Sequence, residues 1–179
     1  MSPRLAVHRL LPQGQCLSRT LVARAAAVSL DWDRRQRSRL AALDNQGREL
    51  AIVLARGSVM RGGDVLVADD GSLVRIVAAE EPLAIARPRP GAEGAYTLLR
   101  AAYHLGNRHV SLDLRPDSLR LAPDPVLEDL LRRMGLEVER TQAAFEPEGG
   151  AYAAAGGGHA HHHHDHDHDH DHGHPGAGA

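Results

Sequence analysis

The sequence predicts an α+β protein in three parts: an N-terminal all-β domain (residues 1–79), a ferredoxin-like βαββαβ domain (residues 80–148) and a flexible, disordered histidine-rich tail (residues 149–179). In the first part, short β-type runs alternate with turn signals. In the second, helical and strand periodicities alternate. The third is almost entirely glycine, alanine, histidine and aspartate, which is typical of a flexible segment.

The first part contains short aliphatic runs and no long helical pattern. Examples are Glu49–Leu54, Asp64–Val67 and Ser72–Val77, and Asp69-Asp70-Gly71 separates the last two. Glycine tolerates the positive φ that a tight turn requires, so this tripeptide predicts a β-hairpin. Arg61-Gly62-Gly63-Asp64 predicts a further turn, and the whole part is expected to be a small β domain.

The second part begins after the break at Glu80-Glu81-Pro82. Its elements are expected in the order strand, helix, strand, strand, helix, strand, at Leu83–Ala86, Glu93–Leu105, Val110–Leu114, Ser118–Leu121, Asp124–Gly135 and Leu136–Arg140. This order is that of the ferredoxin-like split unit, in which two helices cover one face of an antiparallel sheet.

The helix ends have recognisable signals. Gly106-Asn107 predicts the end of the first helix, because either residue can take the left-handed conformation. Asp124 can cap the second helix, with Pro125 at its first position. The predicted apolar side of the first helix contains Leu98, Leu99, Ala102 and Tyr103, and that of the second contains Val126, Leu127, Leu130, Leu131 and Met134.

Composition excludes several classes of protein. The net charge is −2, and all 21 basic residues are arginines without an evident basic stripe, so nucleic acid is not an expected partner. A single cysteine, Cys16, rules out an internal disulfide and suits a reducing compartment. The apolar run Leu21–Leu30 is interrupted by Arg24 and is too short to cross a membrane. We therefore expect a cytoplasmic protein without a membrane partner.

The tail has the composition of a metal-binding segment. Its ten histidines are His159, His161, His162, His163, His164, His166, His168, His170, His172 and His174, with Asp165, Asp167, Asp169 and Asp171 between them. Neutral imidazole is a good ligand for nickel, copper and zinc, and a flexible chain can close several imidazoles around one ion. We expect Ni²⁺ binding with modest selectivity against Zn²⁺, Cu²⁺ or Co²⁺. A purification tag is the alternative, but the aspartates and the trailing Gly-Ala-Gly-Ala favour a native tail.

Outside the tail there are three histidines, His8, His104 and His109. His8 lies in a predicted strand with no potential ligand beside it. His104 is expected near the end of a helix, where the helix dipole favours positive charge. His109 follows the helix stop at the start of a strand, and a two-fold axis would present it twice. It is therefore the candidate for a metal site shared by two chains, with tail histidines completing the shell.

Tyr103–His109 contains the sequence Gly-Asn-Arg-His. It resembles the signature of the UreE nickel chaperones, in which the histidine binds nickel at a dimer interface. Further similar segments are Arg56-Gly57, Leu66-Val67, Asp69-Asp70-Gly71, Leu127, Arg132–Leu136 and Phe145–Glu148. The resemblance runs from about Leu50 to the tail.

The resemblance implies a β domain similar to the peptide-binding domain of J-class chaperones, followed by a metal-binding domain that forms a homodimer. It also implies that nickel passes to the urease apoprotein through an accessory GTPase, without catalysis. Some members carry two more histidines fourteen and sixteen residues after the interfacial one. Those positions are Pro123 and Pro125 here. Proline offers no ligand atom, so that auxiliary site is expected to be absent.

Three other functions are less well supported by the sequence. A hydrolase site could be built from Asp64, Asp69, Asp70 and the distant His109, but turn aspartates are the simpler interpretation. Passive storage or detoxification of nickel and zinc would use the same tail, yet it needs no folded dimer or partner-binding domain. A metal sensor that binds nucleic acid is disfavoured by the lack of a basic helix.

Overall fold

A computed structural model describes residues 4–90 and 93–149 of the protein. The described residues up to Glu148 form one compact unit, which contains both the β-rich part and the ferredoxin-like part. The tail histidines His159–His174 lie outside the described residues, so their role in metal binding stays a prediction.

The N-terminal part is a six-stranded sheet with the strand order β2-β6-β5-β1-β4-β3. Aliphatic side chains on one face of the sheet form its core, including Val7, Leu50, Ile52 and Leu66. The strands are β1 (Leu5–Leu11), β2 (Ala26–Leu30), β3 (Arg39–Leu43), β4 (Glu49–Val53), β5 (Val65–Ala68) and β6 (Leu73–Ala78).

The two edge strands of this sheet are tied together at one point. The Asn45 amide donates to the Ala27 carbonyl oxygen at 2.7 Å, and the Ala27 amide donates to Asn45 Oδ1 at 2.9 Å. Because Asn45 follows β3 and Ala27 lies in β2, these bonds pair backbone groups that an open edge would leave free.

The connections contain two short α-helices that the sequence did not predict, besides a 3-10 turn at Pro12–Gly14. Helix α1 (Arg19–Arg24) is capped by Ser18, and helix α2 (Trp32–Arg35) by Asp31. Each is too short to establish a helical apolar period, which is why the pattern failed to indicate them. The prediction of a β domain without a long helix is otherwise confirmed.

The predicted hairpin joins β5 and β6. Gly71 has a φ of 84°, the left-handed conformation that the turn requires. The Ser72 amide donates to Asp70 Oδ1 at 2.8 Å, and this hydrogen bond lowers the pKa of Asp70 below its usual value.

The C-terminal part has the predicted βαββαβ order. Its sheet has the strand order β10-β7-β9-β8, and every neighbouring pair is antiparallel, as in a ferredoxin-like fold. The elements are β7 (Glu80–Pro88), α3 (Gly94–Gly106), β8 (Asp113–Arg115), β9 (Ser118–Leu121), α4 (Pro125–Arg133) and β10 (Leu136–Ala144).

The start of α4 is as predicted, because Asp124 Oδ1 accepts hydrogen bonds from the amides of Val126 and Leu127 at 2.8 and 3.0 Å. The predicted apolar side of α3 is wrong in part. Leu98, Ala101 and Leu105 face the core, whereas Leu99 and Tyr103 are 66% and 65% exposed. In α4, Val126 is likewise 73% exposed rather than packed.

The segment Phe145–Glu148, here called the strap, follows β10 and reaches the N-terminal part. It bonds to Arg35, whose side chain is fully buried and whose Nη1 donates to Glu146 Oε1 at 2.7 Å. Arg35 also donates to the backbone oxygens of Leu30 and Phe145. The Gly62 amide donates to the same Glu146 oxygen at 2.7 Å. A buried cation is thereby neutralised and hydrogen-bonded.

An aromatic contact accompanies this ion pair. The rings of Trp32 and Phe145 meet edge to face with centroids 6.2 Å apart. The Arg61 guanidinium carbon lies 4.8 Å from the Trp32 ring centroid, within the range of a cation–π interaction. The strap then turns back to the C-terminal part, where the Glu148 amide donates to the Leu112 carbonyl oxygen at 2.7 Å.

Candidate metal site

The end of α3 fixes the backbone of His109. The Val110 amide donates to the Leu105 carbonyl oxygen at 3.2 Å, and the His109 amide donates to that of Gly106 at 2.9 Å. This pair of bonds is the Schellman motif, which places a left-handed residue just beyond the helix. His109 is that residue, with a φ of 55°.

The prediction that Gly106 or Asn107 takes the left-handed conformation is therefore wrong. Asn107 has a φ of −62° and continues the right-handed turn. The helical path persists to this point because Leu105 is buried in the core and Val110 packs against the same cluster. That contact spans the Schellman motif and sets where the chain reverses.

Two further observations describe the surroundings of His109. Arg108 Nη1 donates to the His104 carbonyl oxygen at 2.9 Å, which satisfies an oxygen at the helix end. The His109 side chain itself is exposed. The backbone is thus tied by several bonds while the imidazole stays available to a ligand.

The strand expected directly after His109 begins later. β8 starts at Asp113, whereas Val110–Leu114 was predicted. The Leu112 carbonyl oxygen bonds to the strap instead of to a neighbouring strand. The segment from His109 to Leu112 therefore connects the helix end to the point where the strap returns.

The other two histidines have different surroundings. His104 is half-buried, and its ring meets that of Tyr103 edge to face with centroids 5.5 Å apart. His8 lies in β1 as expected, but it does have a neighbour: its Nε2 is 3.7 Å from Asp69 Oδ2. The β1–β5 pairing brings Asp69 there, because the Asp69 amide donates to the Ala6 carbonyl oxygen. Within residues 4–90 and 93–149, no three His, Cys, Asp or Glu side chains form a group that could hold a metal ion.

Two aspartates of the hydrolase alternative, Asp64 and Asp70, have structural roles. Asp64 is buried, and it accepts hydrogen bonds from the amides of Gln13 and Arg61 at 3.0 and 2.8 Å. Asp70 stabilises the hairpin turn in which it lies by accepting a hydrogen bond from the Ser72 amide. These contacts agree with the interpretation of the carboxylates as turn residues.

One side of α3 presents large apolar side chains to solvent. Tyr96, Leu99 and Tyr103 are 58%, 66% and 65% exposed. Their spacing of three and four residues places them on one side of the helix, here called the α3 face. The α3 face is therefore a candidate interaction surface. It lies on the same helix that ends in the His109 turn.

A β domain, a ferredoxin-like domain with an exposed histidine at a helix end, and a His/Asp-rich C-terminal sequence are the features expected of a metal-handling accessory protein. Residues 7–79 match the family model described as UreE urease accessory protein, N-terminal domain, and residues 81–174 match that of the C-terminal domain. The chain belongs to the UreE family of urease accessory proteins.

Individual relatives are similar over most of the chain. The urease accessory protein UreE of Paracidovorax citrulli is 58% identical over 154 residues, covering 85% of this chain and 72% of that protein. The protein of the same name from Methylibium petroleiphilum is 58% identical over 151 residues, covering 84% and 70%. That of Verminephrobacter eiseniae is 54% identical over 150 residues, covering 84% and 89%. No helix among the described residues is long and apolar enough to cross a membrane.

Proposed function

We propose that this chain binds Ni²⁺ and delivers it to apo-urease during assembly of the urease active site, with His109 as the residue from which nickel is passed on. The placement of His109 carries the proposal. Its imidazole is exposed on a backbone held by the Schellman bonds, within the Gly-Asn-Arg-His signature. A ligand that must receive and release an ion needs both accessibility and a defined position.

The site is shared by two chains of a homodimer. One imidazole is a weak site by itself, whereas an isologous interface presents every residue twice. The α3 face supplies an apolar surface for such an interface, since Tyr96, Leu99 and Tyr103 are exposed in the single chain. Aromatic residues are enriched in interface cores, which favours this surface over the charged sides of the molecule.

The tail histidines His159–His174 collect metal for delivery. Ten imidazoles in each chain give a large capacity with modest selectivity, so Zn²⁺, Cu²⁺ and Co²⁺ also bind there. Nickel then passes to the urease apoprotein through the accessory GTPase in the cytoplasm. The histidine content also favours a second function, passive storage or detoxification, which would need the tail alone.

Activation of apo-urease at limiting nickel separates these two functions. His109→Ala removes two imidazoles from a dimer and leaves twenty in the tails, so total nickel capacity changes little. We expect activation to fall close to the level without the accessory protein. His104→Ala is the matched control, because His104 is half-buried five residues away. If both variants activate urease as well as the parent does, passive storage becomes the better explanation.

A further inference from the structure

The two folded parts of the chain carry opposite net charges. Residues 1–79 contain twelve arginines and seven acidic residues, a net charge of +5. Residues 80–148 contain nine arginines and twelve acidic residues, a net charge of −3. A partner that approaches with an acidic surface is therefore attracted to the N-terminal part and repelled by the other.

A groove beside α1 concentrates this positive charge. It has a volume of about 430 Å³, and no acidic residue lines it. We call it the α1 groove, and its lining residues are Gln13, Gly14, Leu17, Arg19, Val22, Ala23 and Arg75.

The groove forms on the side of the sheet opposite the core. Val65 and Arg75 are paired across β5 and β6, and the core residues Leu66 and Val74 point to the other side. The turn before α1 covers Val65: a Cβ added at Gly14 would lie 3.3 Å from a Val65 methyl and 2.9 Å from a Val22 methyl. Val65 is fully buried under this cover, while Arg75 beside it remains half-exposed in the groove.

Both arginines of the groove lack an acidic partner among the described residues. No carboxylate oxygen among the described residues lies within 4.0 Å of Arg19 or Arg75, although eleven such contacts join other arginines to carboxylates there. Arg75 is half-buried, so its guanidinium gains more from a carboxylate than an exposed one does, because water is partly excluded around it and the planar group can donate two parallel hydrogen bonds. Arg19 is exposed and adds attraction at longer range.

Helix α1 is also unusually accessible. None of its residues is buried, and Leu21 is 51% exposed. Leu17, Val22 and Ala23 contribute apolar surface to the groove that Arg19 and Arg75 also line. Phosphate backbones use cationic contacts but not such apolar ones, so the lining favours a protein segment over a nucleic acid.

We propose that the α1 groove binds an acidic segment of the protein complex that receives the metal, with carboxylates on Arg19 and Arg75 and an apolar side chain against Val22. This inference rests on the proposed function, because it takes the complex of apo-urease and the accessory GTPase as the partner. It assigns recognition to the N-terminal part and leaves metal handling to the C-terminal part.

Binding to the immobilised, purified complex of apo-urease and accessory GTPase tests the proposal. The double variant Arg19→Glu/Arg75→Glu should bind at least about tenfold more weakly than the parent, since like charges then face each other across the contact. Arg39→Glu/Arg56→Glu is the matched control, because both arginines are exposed, lack an acidic partner among the described residues and give the same change in net charge. Its binding should change by less than about threefold. The affinity of the neutral variant Arg19→Gln/Arg75→Gln should lie between those of the parent and the Arg19→Glu/Arg75→Glu variant.

Circular dichroism and nickel titration check that each variant keeps its fold and its metal sites. Equal weakening in the groove and control pairs would overturn the proposal, because it would indicate attraction by overall charge alone. Unchanged binding of the groove variant would overturn it as well. Competition by a DNA duplex that depends on Arg19 and Arg75 would reassign the groove to nucleic acid. If the unmodified chain does not bind the complex at all, the proposed function fails together with the groove.

Discussion

His109 is predicted to lower the stability of the folded chain, and His109→Gly tests this. The residue occupies the left-handed position of a Schellman motif, with a φ of 55°. Glycine is the usual residue there, because a side chain with a Cβ crowds the following carbonyl oxygen. Folding alone would therefore favour glycine at this position.

The size of the effect follows from two opposing terms. The left-handed conformation costs an ordinary L-residue about 1–2 kcal/mol. Glycine avoids that cost but loses more chain entropy on folding, by roughly 0.5–1 kcal/mol. The side chain of His109 is exposed, so its removal costs little packing. We expect the glycine variant to be more stable than the parent by about 0.5–1 kcal/mol, which raises Tm by about 1–4 °C for a unit of this size.

His109→Ala is the control, because alanine removes the imidazole and keeps the Cβ. Thermal unfolding with EDTA present and at equal protein concentration compares the three proteins without bound metal. The glycine variant should unfold at the highest temperature, and the alanine variant should stay close to the parent. Both should lose the proposed interfacial nickel site to the same extent. A glycine variant less stable than the alanine variant would refute the assignment of the left-handed conformation to His109.

Three other predictions concern the tail, the pH dependence and the strap. Deleting His159–Ala179 should remove most bound nickel and leave about one ion per dimer in calorimetric titration, since the proposed His109 site then remains without the tail imidazoles; the absence of any binding would contradict an interfacial site. Nickel loading of the full chain should fall steeply below about pH 6, because protons compete for imidazole nitrogens whose ordinary pKa is about 6.5; loading unchanged at about pH 5 would indicate carboxylate ligands. Glu146→Ala should lower the free energy of unfolding by about 3 kcal/mol in urea titration, because it leaves the fully buried Arg35 without its counter-ion. Glu148→Ala removes an exposed carboxylate from the same segment and should change stability by less than about 0.5 kcal/mol.

Local signals in the sequence were sufficient to predict the order of the secondary-structure elements and the residues at which several of them begin or end. Gly71 and the Asp124-Pro125 pair act within a few residues of themselves, so their effects can be predicted without knowledge of the fold. The side of α3 that faces the sheet could not be predicted in the same way. Leu98 and Leu99 are adjacent, and both belong to plausible apolar stripes; only the packed sheet decides that Leu98 is buried and Leu99 exposed.

The sequence motif was sufficient to identify the candidate site, but the geometry of the site could not be predicted from it. The Gly-Asn-Arg-His segment identified His109, but the packing of Val110 against the core decides which residue of the turn becomes left-handed. The contact of the strap with the N-terminal part could not be predicted from any local pattern, because Arg35 and Glu146 are 111 residues apart in the sequence. In the sequence, Arg35 is one arginine in a run that resembles a solvated surface.

The contact between Trp32 and Phe145 allows the intrinsic tryptophan fluorescence of the protein to report on the position of the strap. Trp32 is the only tryptophan of the chain, and its ring lies against the strap and beneath Arg61. Release of the strap would expose the indole to water and shift its emission to longer wavelength. Fluorescence of the unlabelled protein therefore reports whether the N-terminal part stays attached while a partner binds or metal is transferred.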